Sequence, residues 1–332
     1  MKVLVTGGAG YVGSHCVRAL LAAKHDVTVL DNLSAGHAAA VPSDARLVVG
    51  ELEDIDLLEG LFSLGRFDAV MHFAAFIEVG ESVLHPLRFY ENNVGNSVKL
   101  LSAMEQHGVK RMVFSSTCAT YGVPERMPIT EDMPQRPASP YARAKLAVEW
   151  ALADSAAAWG LGYVALRYFN AAGAAADGTI GEDHHPETHL IPNVLMVALG
   201  QRPHVKIFGT DYPTPDGTCV RDYVHVEDLA AAHLKAIEVV QTGEARAYNA
   251  GTGQGATVRE VVEVARKITG HAIPVEESPR REGDVPVLCA DSTKIRRELG
   301  WVPRFETLEP IVASAWEWHR EHPRGFDDRP TR

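Results

Sequence analysis

The 332-residue sequence predicts an α/β protein built on a doubly wound parallel sheet and completed by a smaller α/β lobe. Three observations carry that expectation. A glycine-spaced turn, Gly7-Gly8-Ala9-Gly10-Tyr11-Val12-Gly13, stands between a strand-like run and a helix-like one. Strand-like and helix-like segments then alternate as far as Asn170. Beyond that point, through residue 222, the chain turns rich in Gly, Pro, Asp and His.

The turn is the first element to justify. Lys2-Val3-Leu4-Val5 before it reads as a strand, and His15-Cys16-Val17-Arg18-Ala19-Leu20-Leu21 after it as a helix. Gly7 permits the tight turn, Gly10 lets the backbone approach a phosphate, and Gly13 lets the helix pack against the sheet. The helix N-terminus offers unpaired N–H groups and a positive dipole end to that phosphate. A second strand, Val27-Thr28-Val29-Leu30, ends in Asp31. An acid there accepts hydrogen bonds from adenosine ribose hydroxyls and disfavours a 2′-phosphate. The expected fold is therefore Rossmann-type and the expected cofactor NAD rather than NADP. The Gly-x-x-Gly-x-x-Gly spacing resembles that of the short-chain dehydrogenase/reductase superfamily.

The remaining elements follow in order. Residues 46–49, 69–75, 111–116 and 163–168 read as strands, and 54–64, 86–107 and 140–159 as helices, with Asp54 as an N-cap. Strands separated by helix-length segments imply a parallel sheet covered on both faces. Ligands bind such sheets at the carboxyl ends of the strands, which is where Asp31-Asn32, Ser115-Ser116-Thr117 and Asn170 fall. Residues 171–222 read as loop with one helix near 191–199. A strand-like 223–226 then leads into a helix to 239, and 248–251 returns a strand. An amphipathic helix over 257–268, a charged loop over 280–291 and a last helix over 308–319 complete the chain. The expected organisation is a dinucleotide-binding domain over 1–170 and a second domain over 171–332, with some segments returning to the first.

Composition narrows the function. The formal charge of −11 argues against a nucleic-acid binder. No apolar run approaches the roughly 20 residues of a membrane span. The first strand begins at residue 2, leaving no room for a signal peptide, and the four cysteines are scattered without a C-x-x-C pair. A cytoplasmic protein with reduced thiols is expected.

The second strong pattern is Tyr141-Ala142-Arg143-Ala144-Lys145, whose i, i+4 spacing puts Tyr141 and Lys145 on one helix face. A free tyrosine, with a pKa of about 10, is a poor base at neutral pH. A neighbouring ammonium and the positive nicotinamide ring stabilise the phenolate. Lowering the pKa by about two to three units corresponds to roughly 3–4 kcal/mol and makes Tyr141 a usable general base. Thr117 can donate a hydrogen bond to a substrate oxygen meanwhile. Thr117, Tyr141 and Lys145 form the Ser/Thr-Tyr-Lys set of short-chain dehydrogenases, and the implied chemistry is hydride transfer between a carbinol carbon and NAD⁺. His184, His185 and His189 cluster in a loop, but no cysteine or tight carboxylate set completes a metal site in the sequence pattern, and none is expected.

Further motifs sharpen the resemblance. Residues 1–13, Val79-Gly80-Glu81-Ser82, Asn92-Asn93-Val94, Ser139-Pro140-Tyr141, Arg167-Tyr168-Phe169-Asn170, Asp211-Tyr212-Pro213-Thr214, Val220-Arg221-Asp222-Tyr223 and Pro279-Arg280-Arg281-Glu282-Gly283-Asp284 resemble the UDP-glucose 4-epimerases over nearly the whole chain. These are extended short-chain dehydrogenases. The resemblance implies an isomerase with permanently bound NAD, in which Tyr141 takes the proton of the sugar 4-OH as hydride leaves C4. The 4-keto sugar swings about its pyrophosphate and is reduced on its other face. It further implies that Gly7, Gly10, Tyr11, Val12, Gly13, Asp31, Asn32, Leu33, Ser34, Ala35, Gly36, Glu51, Leu52, Phe73, Ala74, Ala75, Ile77, Asn92, Ser115, Tyr141, Lys145, Tyr168 and Phe169 line the NAD site. Thr117, Tyr141, Asn170, His189, Leu190, Lys206, Ile207, Phe208, Arg221, Arg281, Glu282, Gly283, Asp284 and Leu288 would meet the UDP-sugar. Arginines suit that task independently, since guanidinium groups match pyrophosphate oxygens bidentately. The family pairs the 86–107 and 140–159 helices into a homodimer, and Leu100, Leu101 and Met104 look exposed enough to serve.

Departures from the family pattern qualify the expectation. Ile77 stands where a lysine usually touches the cofactor ribose, Glu51 replaces an aspartate near the adenine, and Cys118-Ala119-Thr120 replaces Ala-Thr-Val. Leu288 sits where some members carry a tyrosine beside the sugar, which leaves room for an N-acetyl group. A 4,6-dehydratase would need an Asp-Glu pair after Thr117, where Cys118-Ala119 stand. A C4 epimerase of another UDP-sugar (an N-acetylhexosamine, pentose or uronic acid) stays open. So does a non-catalytic NAD-binding sensor, although a sensor has no need of Tyr141 and Lys145.

Overall fold

The computed structural model describes residues 1–281 and 283–326. In chain order the strands are β1 (Lys2–Thr6), β2 (Asp26–Asp31), β3 (Arg46–Val49), β4 (Ala69–His72), β5 (Arg111–Thr117), β6 (Gly162–Tyr168), β7 (Asn170–Ala172), β8 (Val205–Phe208), β9 (Val220–His225), β10 (Ala245–Ala250), β11 (Gly255–Thr257), β12 (Val275–Ser278) and β13 (Val287–Leu288). The helices are α1 (Tyr11–Ala22), α2 (Ile55–Gly65), α3 (Val79–Leu84), α4 (Pro86–Phe89), α5 (Asn96–Gln106), α6 (Pro140–Trp159), α7 (Leu190–Ala198), α8 (Val226–Val239), α9 (Val258–Thr269), α10 (Thr293–Leu299) and α11 (Leu308–Glu321). The chain divides into two compact units. The first comprises Met1–Val123, Glu131–Tyr168 and Ala230–Tyr248; the second comprises Pro124–Thr130, Phe169–Leu229 and the chain from Asn249 onward. Among the described residues no helix is long and apolar enough to cross a membrane.

The large sheet has the strand order β10-β6-β5-β4-β1-β2-β3, and β1 to β6 pair in parallel. Its central strands are apolar almost throughout because helices cover both faces. Leu4, Val70, Met112 and Phe114 of the sheet pack with Leu58 and Phe62 of α2, Leu100 and Met104 of α5, and Val148 and Leu152 of α6. Leu100, Leu101 and Met104 are therefore core residues, not the exposed row expected from the sequence. The physical reason is that α5 lies against α2 and turns that row inward.

The expected single helix over 86–107 is also different. It is α4, then a π-helical turn over Tyr90–Gly95, then α5. Such turns recur at functional sites. This one presents Asn93, whose amide oxygen accepts the Phe76 N–H at 2.8 Å and whose amide nitrogen donates to the Phe76 carbonyl at 2.9 Å. A buried chain continues from there. Ser97 Oγ donates to the Asn93 carbonyl at 2.6 Å and so accepts from His72 Nε2 at 2.8 Å. His72 Nδ1 then accepts from Thr6 Oγ1 at 2.6 Å. Burial first, then the Lys145 charge, push the His72 imidazole down to about 3, so it stays neutral and can play both parts.

Helix α6 starts on Ser139, whose side chain accepts the Ala142 N–H, with Pro140 at its first position, and it stops at Gly160 in the left-handed conformation. Its Glu149 is buried. That carboxylate accepts from Ser116 Oγ at 2.5 Å, from Gln135 Nε2 at 3.2 Å and from the Arg167 guanidinium at 2.5 Å. Arg167 in turn donates to the Tyr121 hydroxyl at 2.9 Å.

In the second unit β9 is the central strand. β7 and β13 pair with it in parallel and β11 antiparallel, while β8 and β12 form a separate parallel pair. Helices α7, α9 and α11 bury Val194, Leu195, Val261, Val262, Ile311 and Val312 together. Thr257 and Glu260 close a capping box on α9. The Asp222 carboxylate accepts backbone N–H groups of Thr252, Gly253 and Ala290 and the Thr252 hydroxyl, gathering three segments on one buried charge. Residues 171–222 and 280–291, expected as loop, carry the short strands β7, β8, β9 and β13.

Replacing Arg167 by Met leaves Glu149 buried without its cation. An uncompensated buried charge costs about 3–5 kcal/mol. Urea unfolding of Arg167→Met is expected to show a loss of that size, and a loss under about 1 kcal/mol would contradict the network's role.

Candidate active site

The glycine turn has the geometry its sequence implies. Gly7 lies at φ +73° and its Cβ would sit 2.5 Å from the Ala74 nitrogen. A Cβ on Gly13 would meet the Gly7 carbonyl oxygen at 2.1 Å, so α1 can approach only without a side chain there. Gly10 is the open position: its Cβ would meet only the Gly7 oxygen, at 3.4 Å. Gly10 also N-caps α1 without any side-chain hydrogen bond, leaving the helix N-terminus available to an anion. The turn thus fits a pyrophosphate.

The residues expected to hold the rest of NAD lie in both units. Phe73 and Ala74 donate their N–H groups to the Thr6 carbonyl, which sets residues 73–75 beside Gly7. Buried Asp31 accepts the Ala9 N–H and the Leu33 N–H, both at 2.9 Å, and keeps lone pairs for ribose hydroxyls. Burial raises its carboxyl above the usual range. Asn32 donates to Glu51 at 2.9 Å and accepts from Ser34, so these three positions form one hydrogen-bonded group. The Ala9 carbonyl accepts the His37 N–H, and a Cβ on Gly36 would lie 2.8 Å from the Ala9 carbonyl carbon. Tyr11 caps the turn with its ring edge-on to His15. Leu52 is buried, Ile77 is exposed, and Asn92 lies in the π-helical turn. Phe169 is buried at the start of the second unit.

The three groups expected to act together converge at the carboxyl end of β5. The Thr117 hydroxyl lies close enough to Tyr141 to favour its phenolate, and Thr117 Oγ1 accepts the Ala119 N–H at 3.1 Å. Lys145 is buried; its Nζ donates to the Ser115 carbonyl at 2.9 Å and sits 5.0 Å above the Phe114 ring. Ser115 Oγ meets the Tyr168 hydroxyl at 2.8 Å. Desolvation pushes the Lys145 ammonium down to about 8, against the opposing pull of Glu149. Tyr141 departs from expectation. Its pKa is raised, not lowered, with burial the largest cause and the Thr117 hydroxyl only a partial offset. Lys145 spends its ammonium on Ser115 and Phe114, so the phenolate gains too little from it to overcome desolvation.

A separate cluster of expected residues lies wholly in the second unit. Asn170, His189, Leu190, Lys206, Phe208, Arg221, Arg281 and Asp284 line one cavity of about 570 Å³. That is within the usual range for a small-molecule site. Ile207 is buried between Lys206 and Phe208 and is not in this wall. Leu288 lies beside Arg221 in register on β13 and is also outside the wall. Glu282 lies outside the described residues. Arg221 donates to the Val220 and Val285 carbonyls at 2.9 and 2.8 Å and stands 3.7 Å from Asp284. Arg281 donates to Asp284 at 3.1 Å and covers the Phe208 ring at 4.7 Å. Arg202, His204 and Asn193 also line the cavity and escaped the sequence reading. Asn193 lies one helical turn from His189 and donates to its carbonyl at 2.7 Å, a spacing that could have found it.

The histidine loop is a second correction. A tight carboxylate set does complete the cluster: Glu182, His184, Glu187 and His189 bring one ligand atom each within 4.8 Å of one another. Glu182 and Glu187 each precede a histidine by two residues, and the loop's fold brings the two pairs together. The two carboxylates push His184 up to about 9 and His189 up to about 10 against the cost of desolvation.

Comparison with known proteins gives a consistent result. The model of the NAD dependent epimerase/dehydratase family matches residues 3–251. A curated relative, the UDP-glucose 4-epimerase of Lacticaseibacillus casei, is 51% identical over 99% of this chain and 100% of its own. The structure of UDP-glucose 4-epimerase from Brucella ovis in complex with NAD superposes with a TM-score of 0.92 at 46% identity, over 95% of this chain and 97% of that one. That from Bifidobacterium longum in complex with NAD⁺ and UDP gives 0.94 at 39% identity, over 98% and 100%.

The raised Tyr141 pKa has a direct spectroscopic consequence. In protein stripped of nicotinamide, ultraviolet difference spectra between wild type and Tyr141→Phe are expected to show no phenolate step up to pH 10, the ordinary tyrosine value. A step below about pH 8 would mean that Lys145 alone ionises the phenol.

Proposed function

The chain belongs to the NAD-dependent epimerase/dehydratase family, and we propose that it interconverts UDP-glucose and UDP-galactose by inverting C4 through a transient 4-keto sugar. The observation that carries the reading is Tyr141 near Thr117 with buried Lys145 one turn on along α6, in a chain whose full-length relatives are UDP-glucose 4-epimerases.

Gly7, Gly10 and Gly13 hold the pyrophosphate of NAD at the α1 N-terminus, and Asp31, Asn32 and Glu51 take the adenosine end. When bound, NAD supplies the acceptor and donor of hydride and a positive charge beside Tyr141. Tyr141 accepts the proton of the 4-OH and returns it after the keto sugar has presented its other face. Thr117 orients the same oxygen by donating its hydroxyl. Lys145 keeps the local potential positive. Arg221 and Arg281 grip the UDP pyrophosphate, whose two negative charges match guanidinium donors. Asn170, His189, Leu190, Lys206 and Phe208 complete the nucleotide's wall. The setting is the cytoplasm, in keeping with four cysteines that stand as thiols. A leucine at 288 is smaller than a tyrosine, which supports UDP-N-acetylglucosamine as a second substrate although Leu288 lies outside the wall of the nucleotide cavity.

The active enzyme is a homodimer that pairs through α3 to α6. Leu87 is 79% and Trp150 62% exposed, with Val83, Leu84 and Val98 also bare on these helices. Light scattering at micromolar concentration is expected to return twice the 36.1 kDa chain mass; a monomer mass would reject the pairing.

Purified protein given UDP-galactose and no cofactor is expected to form UDP-glucose, followed by NMR. Tyr141→Phe should lose about 10²–10⁴-fold in kcat while retaining NAD. Wild-type activity in that variant would remove Tyr141 from the mechanism. Leu288→Tyr should suppress turnover of UDP-N-acetylglucosamine and spare UDP-glucose; equal effects on both would separate Leu288 from specificity.

A further inference from the structure

The loop formed by residues 181–189 holds four donor atoms that the proposed reaction does not require as a group. His189 Nδ1 lies 2.8 Å from Glu182 Oε1 and 3.1 Å from Glu187 Oε1. His184 Nδ1 lies 3.3 Å from Glu182 Oε1 and 3.7 Å from Glu187 Oε2. The arrangement is therefore not two separate ion pairs. Each imidazole reaches both carboxylates, and one ligand atom from each of the four residues lies within 4.8 Å of the others. A tetrahedral zinc ion bound to imidazole nitrogen and carboxylate oxygen at about 2.0–2.2 Å spaces its ligand atoms by about 3.3–3.5 Å. The four imidazole–carboxylate separations bracket that figure, and every pair of donor atoms lies within 4.8 Å.

Burial makes compensation obligatory. The Glu182 and Glu187 side chains are 5% and 2% exposed, and two buried carboxylates need two positive charges nearby. Two imidazolium protons supply them, and so does one divalent cation with both imidazoles neutral. Two protons leave as one dication enters, and the net charge of the cluster stays at zero. The surroundings hold the donors in place. The His189 N–H donates to Glu187 Oε1 at 2.7 Å, fixing that carboxylate. Asp183 accepts the Phe326 N–H at 2.9 Å. Gly181 lies so close to Trp318 that its Cβ would stand 2.3 Å from the indole. The first of these contacts is made to a donor carboxylate, and the other two hold the residues on either side of Glu182.

We propose that Glu182, His184, Glu187 and His189 form a four-coordinate site for a divalent transition cation, zinc by donor set, that clasps this loop. Four protein donors leave no open position, so the ion is structural and takes no part in hydride or proton transfer. Its effect reaches the substrate cavity through His189, which contributes Nδ1 to the cluster and whose side chain, 42% exposed, lines the cavity wall. A fixed loop holds that wall in its binding shape before the nucleotide arrives.

The test uses the full-length, untagged protein, treated with chelator, passed through gel filtration and titrated with zinc chloride or cobalt chloride at pH 8. Elemental analysis is expected to return about one zinc per chain, and cobalt to give the visible bands of a tetrahedral site. Zinc should also raise the melting temperature of the wild type. Glu182→Gln and His184→Gln should weaken binding at least tenfold and lose the thermal shift. His185→Gln, an exposed neighbour, should retain both. Less than about a tenth of an equivalent bound by the wild type would overturn the proposal, without recourse to any variant. So would unchanged stoichiometry in His184→Gln, provided circular dichroism shows that variant folded. Failure here leaves the epimerase reading intact, because UDP-galactose turnover is measured separately.

Discussion

The chemistry of the first unit depends on where α6 rests on the sheet, and the Glu149 carboxylate fixes that position. It binds Ser116 of β5, Arg167 of β6 and Gln135 at once. Lys145 is one helical turn before it and Tyr141 two. Thr117 adjoins Ser116 on β5, so the same anchor holds the helix that carries Tyr141 to the strand that carries Thr117. A misplacement of about 1 Å among reacting groups costs on the order of a hundredfold in rate, which gives this buried ion pair a reason to exist beyond stability. Its charge does a second task. Desolvation drives Lys145 toward neutrality, and Glu149 opposes it, so the ammonium persists at neutral pH in a site that would otherwise discharge it.

Tyr141 shows why a base must not be read from spacing alone. The i, i+4 relation to Lys145 holds on α6, but the Lys145 ammonium is turned to the Ser115 carbonyl and the Phe114 ring. Burial then dominates and the phenol keeps its proton. For an alcohol dehydrogenation this is useful. In the proposed reaction an oxidised nicotinamide would supply the positive charge that lets Tyr141 ionise. Tyr141 would then act as a base while hydride leaves C4 and, once the ring is neutral, would return the proton to the C4 oxygen as hydride reduces the keto carbon.

How much of this was legible depended on whether a residue type encoded the geometry. Gly13 was legible because only a missing side chain lets α1 approach the Gly7 carbonyl. The strands β1 to β6 were legible because long apolar runs between helix-length segments have few other uses. The π-helical turn over Tyr90–Gly95 was not, since no residue type marks it and helical periodicity runs on either side. The inward orientation of Leu100 and Met104 was lost for the same reason: the extra residue in the turn rotates everything after it. The strands β7, β11 and β13 are two or three residues long and hold no alternation to read. Glu182 and Glu187 each stand two residues before a histidine, and they were missed because only the loop's fold brings the two pairs together.

The two arginines of the second unit differ in a way that suits an enzyme whose substrate must turn over inside its site. Arg221 is 14% exposed and already tethered to two backbone carbonyls, whereas Arg281 is 59% exposed and rests on the Phe208 ring. A tethered side chain loses little rotamer freedom when a phosphate arrives, and an exposed one loses more. In the proposed reaction both epimers bind through the same nucleotide, so contacts with the diphosphate stabilise substrate, keto sugar and product alike. Such contacts cannot favour one face of C4 over the other. In that reaction they would hold the diphosphate, which the inversion at C4 leaves unchanged, so one set of contacts would serve both directions.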